Sequence, residues 1–266
     1  MRAAGDTILP LALQDVWYNV DGVNLLKAIN LAFTAGVRTA VIGPNGAGKS
    51  LLMRIMHGLI KPSQGTVEWQ GQAADGRHKS LAARQAMVFQ RPVMLRRSVA
   101  ANIEYALKLI GVASAERRER TEEILDKTGL RRLASSPARV LSGGEQQRLA
   151  LARVWARNPE VLFLDEPTAN LDPAATHRVE EIVSAIHAGG TRLIMTTHDL
   201  GQARRMADDV IFMHRGRVFE HRDTEAFFAG PENDLAQAFV RGELLWWRKG
   251  EGTGGRRQPR HEKYRS

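Results

Sequence analysis

The stretch TAVIGPNGAGKS, residues 39 to 50, joins an apolar segment to a glycine-rich loop that ends in Lys-Ser. Its last eight residues fit G-x-x-x-x-G-K-[ST], between a predicted strand and a helix predicted from about Ser50 to Leu59. Glycines let successive N–H groups point inward, and the helix N-terminus adds its positive end. Lys49 supplies a full charge for phosphates and Ser50 a hydroxyl for Mg²⁺. We therefore predict a phosphate-binding loop formed by Gly43, Pro44, Asn45, Gly46, Ala47, Gly48, Lys49 and Ser50.

A second motif, VLFLDEP at residues 161 to 167, supplies acidic groups. Its apolar strand ends at Asp165, where a carboxylate meets the Mg²⁺ coordination sphere across from Ser50. Glu166 follows at once. Side chains alternate along a strand, but at its exit the alternation relaxes, so Glu166 reaches the water opposite a γ-phosphate. We predict Glu166 as the general base and Asp165 as a metal ligand.

The order of apolar segments predicts an α/β architecture. VLFLD and RLIMTT (192–197) are typical of buried parallel strands, and a helical pattern over 173–188 separates them. Residues 98–112 and 116–130 carry helical spacing with charges on one side, which predicts an inserted helical subdomain over about 92–140. Two short apolar arms around Arg215-Gly216 indicate a hairpin near the end of the fold.

Composition bounds the remaining possibilities. Of 266 residues, 43% are hydrophobic and 25% charged, and no apolar run reaches the roughly 18 residues that span a bilayer. The N-terminus does not resemble a signal peptide, so a cytoplasmic location is expected. The absence of cysteine excludes disulfides, thiolate metal sites and cysteine nucleophiles.

The net charge of +9 is concentrated at the C-terminus. Residues 248–266 carry seven Lys/Arg against two Glu, a net of +5, and are rich in glycine. This composition favours a disordered, solvated tail over 246–266, with contact to anionic lipid as the alternative. Nucleic acid is not expected as a partner, because the tail lacks interleaved aromatics beyond Tyr264.

Five segments in a fixed order carry a family resemblance. GPNGAGKS, LSGGEQQR (141–148), VLFLDEP, ANLD (169–172) and TTHD (196–199) resemble the motifs of the ATP-binding subunits of ABC transporters, over about residues 11 to 225. The resemblance implies an ATPase that uses ATP and Mg²⁺. It also implies a P-loop fold of the ABC type, with a mainly parallel core sheet, an N-terminal antiparallel β part and the helical subdomain, all within a domain over 9–245.

In that family two ATP-binding domains pair head to tail, and the signature LSGGEQQR of one covers the ATP held by the other. Ser142, as the N-cap, together with Gly143 and Gly144, would then leave a helix N-terminus open to the partner's γ-phosphate. Because this chain has one phosphate-binding loop and one signature, a dimer is expected, a homodimer being the simpler case.

Further roles follow from the resemblance alone. Gln90, in MVFQRP, resembles the glutamine that senses Mg²⁺ and the attacking water. His198, in TTHD, resembles the histidine that contacts the γ-phosphate and orients the base. Asp172, which ends ANLD, would link the two sites across the dimer.

The sequence departs from the family at the position that contacts the adenine ring. The family usually places an aromatic residue there, but the corresponding position is about Val20, with Trp17 and Tyr18 slightly upstream. Either a shifted strand presents Tyr18, or adenine packs on an aliphatic surface; a core role for Trp17 is the third reading. Leu51 replaces the usual threonine, which matters little because Ser50 keeps the metal ligand.

The segment after Gln90 is where the family receives a membrane permease. Arg91, Met94, Leu95, Arg96 and Arg97 are therefore candidate contacts, the alternative being solvated arginines at the start of the helical subdomain. Residues 88–112 resemble most closely the subunits of tungstate-type oxyanion importers. Phosphate or polar amino acids remain as alternative solutes, and a non-transport ABC ATPase as an alternative class. The resemblance implies work at the cytoplasmic face of the inner (plasma) membrane, with an extracytoplasmic solute-binding protein acting through the permease.

Overall fold

The computed structural model describes residues 7–73 and 79–243. The predicted tail, residues 246–266, and the last two residues of the predicted domain 9–245 lie outside this range.

Ten strands, nine α-helices and two short 3₁₀ helices (Arg131–Leu133 and Ala138–Val140) are present in these residues. The strands are β1 (Leu11–Val20), β2 (Val23–Phe33), β3 (Arg38–Ile42), β4 (Gln64–Trp69), β5 (Gln72–Ala73), β6 (Gln85–Val88), β7 (Val161–Asp165), β8 (Arg192–Thr196), β9 (Asp209–His214) and β10 (Arg217–Asp223). The helices are α1 (Lys49–Met56), α2 (Lys79–Arg84), α3 (Val99–Leu109), α4 (Ser114–Lys127), α5 (Gly143–Arg157), α6 (Pro173–Ala188), α7 (Leu200–Met206), α8 (Thr224–Ala229) and α9 (Asp234–Val240).

The six-stranded sheet has the order β10-β9-β3-β8-β7-β6. Strands β9, β3, β8, β7 and β6 run parallel, and β10 closes one edge as the antiparallel arm of the hairpin at Arg215-Gly216. Every residue of β7 and β8 is buried, as expected for central parallel strands with both faces covered. The carboxyl ends of β3, β7 and β8 lie along one edge of this sheet, and the residues after them meet there.

A second, antiparallel sheet has the order β2-β1-β4-β5. Its inner face, with Leu11, Leu13 and Val16, packs over α1 in a common apolar cluster. This sheet, with β1 and β2, is the N-terminal antiparallel β part that the resemblance implies. The sequence did not predict β4, β5 or β6.

Helices cover the other face of the parallel sheet. In α3 the buried residues Val99, Ile103, Ala106 and Leu107 follow helical spacing and join the same apolar cluster as α5. Ser98 starts α3 by accepting a hydrogen bond from the Ala101 amide. Helices α3 and α4 occupy the range predicted for the helical subdomain, 92–140.

Among the described residues, no helix combines the length and apolar character that crossing a bilayer requires.

Candidate nucleotide-binding site

The loop between β3 and α1 is held open by glycine and by its own lysine. Gly43 has φ 145°, and a Cβ on it would lie 2.0 Å from the Met213 carbonyl oxygen, so only glycine fits. Lys49 Nζ donates to the carbonyls of Gly43 (2.8 Å) and Pro44 (3.3 Å). Helix α1 begins at Lys49 without a side-chain cap, which leaves its first amides available for an anion.

Asp165 connects three segments at the end of β7. Its Oδ1 accepts a hydrogen bond from Ser50 Oγ (2.7 Å) and another from Thr196 Oγ1 (2.8 Å). Asp165 is 4% exposed, so these two hydroxyls hold the carboxylate in a fixed orientation. The sequence predicted the approach of Ser50 and Asp165 but not the contribution of Thr196.

Glu166 reaches the same site because the backbone turns sharply after β7. Its φ is 47°, a left-handed conformation uncommon for a non-glycine residue. The Glu166 amide donates to both the carbonyl (3.2 Å) and the hydroxyl (3.0 Å) of Thr196, which stabilise this turn. The relaxed alternation predicted at the strand exit takes the form of a left-handed turn at Glu166.

Two side chains, His198 and Lys49, converge on the Glu166 carboxylate. His198 Nδ1 lies 3.1 Å from Oε2, and since a carboxylate only accepts, Nδ1 is the donor. Lys49 Nζ lies 3.8 Å from Oε1. Burial lowers the pKa of Lys49, and the neighbouring carboxylates Glu166 and Asp165 offset part of that effect.

These groups border an open cleft of about 680 Å³. Its lining includes most of the loop and the predicted Gln90, Glu166 and His198, together with Ala169 and Asn170. Gln90 is exposed two residues after the end of β6. The cleft is polar, open and rich in backbone amides.

The donor set fits Mg²⁺ and a polyphosphate. Mg²⁺ binds in proteins through one or two oxygen side chains and keeps its remaining positions for water and phosphate. Ser50 and Asp165 offer a hydroxyl and a carboxylate in direct contact, and among the described residues no hydrogen bond reaches Asp165 Oδ2. The uncapped α1 and Lys49 supply the positive counterpart for phosphate.

The signature residues lie apart from this cleft and beside Asp172. Ser142 is the N-cap of α5 in a capping box: Glu145 accepts from the Ser142 amide (2.8 Å) and hydroxyl (2.8 Å), and the Glu145 amide donates to Ser142 Oγ (3.4 Å). The hydrogen bond from the Ser142 hydroxyl lowers the pKa of Glu145. A Cβ on Gly144 would lie 3.0 Å from Ala175 Cβ, so α5 and α6 start side by side. Ser142 and Gly143 are exposed.

Asp172 has a defined local role. Its carboxylate is the N-cap of α6 and accepts from the Ala175 amide at 2.9 Å. The side chain is exposed, and Leu171 beside it lies 3.8 Å from a Cβ built on Gly143 at the start of α5.

Tyr18 does not reach the cleft. It is half-buried, pairs with Leu26 across the antiparallel sheet and packs on the apolar cluster beneath that sheet. Trp17 is also half-buried and donates through Nε1 to Asp15. The residue of this sheet that lines the cleft is Leu25, 42% exposed, which favours the aliphatic alternative for adenine. Strand register decides which side chain faces the loop, and spacing along the chain does not reveal that register.

Comparison with known proteins shows what this chain is similar to. The model of the ABC transporter family matches residues 26–169. A phosphate import ATP-binding protein, PstB 2 of Natronomonas pharaonis, is 37% identical over 260 residues, covering 92% of each chain. TupC of Peptoclostridium acidaminophilum, a tungstate uptake ATP-binding protein, is 40% identical over 200 residues, covering 75% of this chain and 92% of its own.

A solved structure of an ATP-binding cassette, a dimer in a post-hydrolysis state with ADP and Pi, matches with a TM-score of 0.72 at 28% identity. The match covers 80% of this chain and 98% of the chain of the solved structure. The predicted fold class is thereby confirmed, as are ATP hydrolysis and the use of ATP with Mg²⁺. The chain belongs to the ABC transporter family, as an ATP-binding subunit whose hydrolysis of ATP drives transport.

Proposed function

We propose that this chain is the motor subunit of an ABC importer and that its solute is an oxyanion, tungstate before phosphate. The observation that carries the catalytic part is the convergence of Lys49 and His198 on Glu166, next to the Ser50–Asp165 pair. The transport part rests on the similarity to import subunits.

Six side chains at the cleft have proposed tasks. Lys49 and the α1 amides bind the phosphates, and Ser50, Asp165 and Gln90 hold Mg²⁺. When bound, Mg²⁺ neutralises charge on the phosphate oxygens. Glu166 accepts the proton of the attacking water, and His198 holds the Glu166 carboxylate in position and contacts the γ-phosphate.

The complete site requires two chains in this proposal. Ser142, Gly143 and Gly144 of one subunit cover the γ-phosphate held by the other, and Asp172 lies between the two sites. The exposure of Ser142, Gly143 and Asp172 on one part of the surface supports this arrangement. A homodimer satisfies it with a single kind of subunit.

The proposed permease contact lies beside Gln90. An apolar groove of about 220 Å³ opens there, lined by Phe89, Pro92, Val93, Tyr105, Leu109 and others. Val93 is 76% exposed and Leu109 64% exposed, and both border this one apolar groove, which is typical of a contact surface. We propose a cytoplasmic segment of the permease as the occupant, with the ATPase at the cytoplasmic face of the membrane and a solute-binding protein acting through the permease.

The candidate contacts from the sequence need one correction. Met94 is only 7% exposed and packs in the helical core, so it is not available to a partner. Arg97 lies over the ring of Tyr105, with its Cζ 4.6 Å from the ring centroid, which presents a cation at the edge of the groove. Arg91 and Arg96 are exposed.

The solute is tested by uptake. Cells that carry either the native chain or Lys49→Ala at matched expression are compared for uptake of tungstate, molybdate and phosphate at limiting solute. We expect uptake of the transported solute to fall, because Lys49→Ala removes the buried cation of the loop. Since the proposed solute is tungstate, tungstate uptake alone should fall. A fall for phosphate alone would give the alternative solute. No change for any oxyanion would reject the oxyanion proposal, and amino acids would be tested next.

A further inference from the structure

Gln202 is a buried residue of α7, outside the nucleotide cleft. It is 2% exposed, and its Nε2 donates to Thr168 Oγ1 at 2.8 Å and to Glu180 Oε1 at 3.0 Å. Thr168 follows Glu166 by two residues, and Glu180 lies on α6. One amide therefore ties the helix behind His198 to the segment behind Glu166 and to α6.

The orientation of this amide is determined by its partners. Glu180 only accepts, and Arg205 donates to the same Oε1 at 2.9 Å, so the Gln202 nitrogen must face Glu180. Among the described residues, the Gln202 amide oxygen has no hydrogen-bond partner. A buried amide with one unsatisfied oxygen adds little net stability, so its main effect is to join the groups that it contacts.

The backbone of Gln202 has a second connection. Its N–H donates to Asp199 Oδ1 at 3.0 Å, and Asp199 is the N-cap of α7 and the neighbour of His198. The His198 side chain is 58% exposed and has little packing of its own. Its contact with Glu166 therefore depends on the separation of the two backbone segments, and Gln202 fixes that separation from the buried side.

We propose that Gln202 is a positioning residue for ATP hydrolysis, which keeps His198 against Glu166 through its bonds to Asp199 and Thr168. This inference rests on the proposed roles of His198 and Glu166. Gln202 itself touches neither nucleotide nor water in this proposal. Loss of the Gln202 side chain displaces His198 relative to Glu166, but both of these side chains remain present.

The test compares single and double variants of the full chain. Gln202→Met keeps the length of the side chain and removes its two donated bonds, to Thr168 and Glu180, while the backbone bond to Asp199 stays. Thr168→Val removes only the link to the Glu166 segment. We expect each to lower kcat about tenfold, because a misplacement of about 1 Å costs up to about 100-fold. KM and the binding of a non-hydrolysable ATP analogue stay within about twofold. Arg205→Gln, which touches Glu180 alone in this network, is the matched control and keeps the wild-type kcat.

His198→Ala decides whether Gln202 acts through the histidine. We expect His198→Ala to be slow and His198→Ala/Gln202→Met to be no slower. A double variant slowed by the product of the two single effects overturns the positioning role. A wild-type rate in Gln202→Met and Thr168→Val, with His198→Ala slow, overturns it while leaving the proposed function intact. A wild-type rate in His198→Ala overturns both the positioning role of Gln202 and the proposed catalytic role of His198. If Gln202→Met does not fold, Thr168→Val carries the same comparison.

Discussion

At the scale of single residues, Glu166 combines an uncommon backbone conformation with the proposed chemistry. Its left-handed φ of 47° costs on the order of 1 kcal/mol and is offset by two hydrogen bonds to Thr196. These bonds involve the Glu166 backbone, so a change of its side chain leaves them in place. A substitution of the Glu166 side chain can therefore remove proton transfer while the backbone turn that positions this residue stays in place.

We predict that Glu166→Gln keeps ATP binding and lowers kcat by about 100- to 10,000-fold, because an amide cannot accept the proton. Phosphate release and equilibrium binding of ATP measure the two quantities. Glu181→Gln, at an exposed glutamate of α6, serves as the control. Equal turnover in Glu166→Gln and wild type would remove Glu166 as the base.

His57 makes folding stability depend on pH. Burial, and secondarily Arg157, lower the pKa of this histidine from 6.5 to about 4. The unfolded chain takes up this proton as pH falls below about 6.5, and the folded chain only near 4, so stability falls with pH over that window. We predict a smaller loss in His57→Leu, measured as urea midpoints between pH 7.5 and 4.5. Midpoints that shift in parallel would show that His57 does not contribute.

At the scale of elements, the β9–β10 hairpin supports the phosphate-binding loop from behind. The Gly216 amide donates to the Ala47 carbonyl at 2.9 Å, and the Gly216 carbonyl accepts from the Lys27 amide at 2.8 Å. A Cβ on Gly216 would lie 2.2 Å from the Leu25 carbonyl oxygen. The turn thus lies between the loop and β2 with no room for a side chain.

We predict that Gly216→Ala weakens ATP binding and lowers the Tm, because the turn must withdraw from Ala47 and Lys27. Gly71→Ala is the matched control: Gly71 has a similar φ, 73° against 77°, in another hairpin turn, with nothing within 4 Å of an added Cβ. It should cost only the backbone strain, about 1 kcal/mol, and leave ATP binding unchanged. Equal ATP affinity in the two variants would contradict the supporting role of the hairpin.

At the scale of the whole molecule, the cleft and the exposed start of α5 lie on different parts of one chain. In the proposed dimer a single chain offers half of each site, and ATP would join two chains. In the Glu166→Gln background, where hydrolysis is slow, the ATP-bound dimer should accumulate.

We predict that Glu166→Gln with ATP elutes at twice the monomer mass, and that adding Gly143→Asp prevents this while ATP binding persists. The new carboxylate would repel the partner's γ-phosphate. Ser114→Asp adds the same charge at the exposed start of α4 and should leave the dimer intact. Dimerisation of the Gly143→Asp variant would argue against a role of the signature in the interface.

Most of the predictions made from the sequence rest on contiguous motifs. The phosphate-binding loop, the Asp165-Glu166 pair and the TTHD segment each carry their chemistry within a few residues, because local backbone geometry brings their polar atoms together. Parallel strands were predictable for a similar reason, since burial on both faces requires a continuous apolar run. The sequence alone therefore determined the family, and it predicted the groups that border the cleft.

Only the tertiary structure decided the contacts between distant segments. Thr196 meets Asp165, Gln202 meets Thr168, Gly216 meets Ala47, and the burial of Met94 and the packing of Tyr18 follow from neighbours far along the chain. Such contacts depend on strand order, register and helix packing, which spacing along a sequence does not specify. They determine which of the predicted side chains meet, and how firmly they are held.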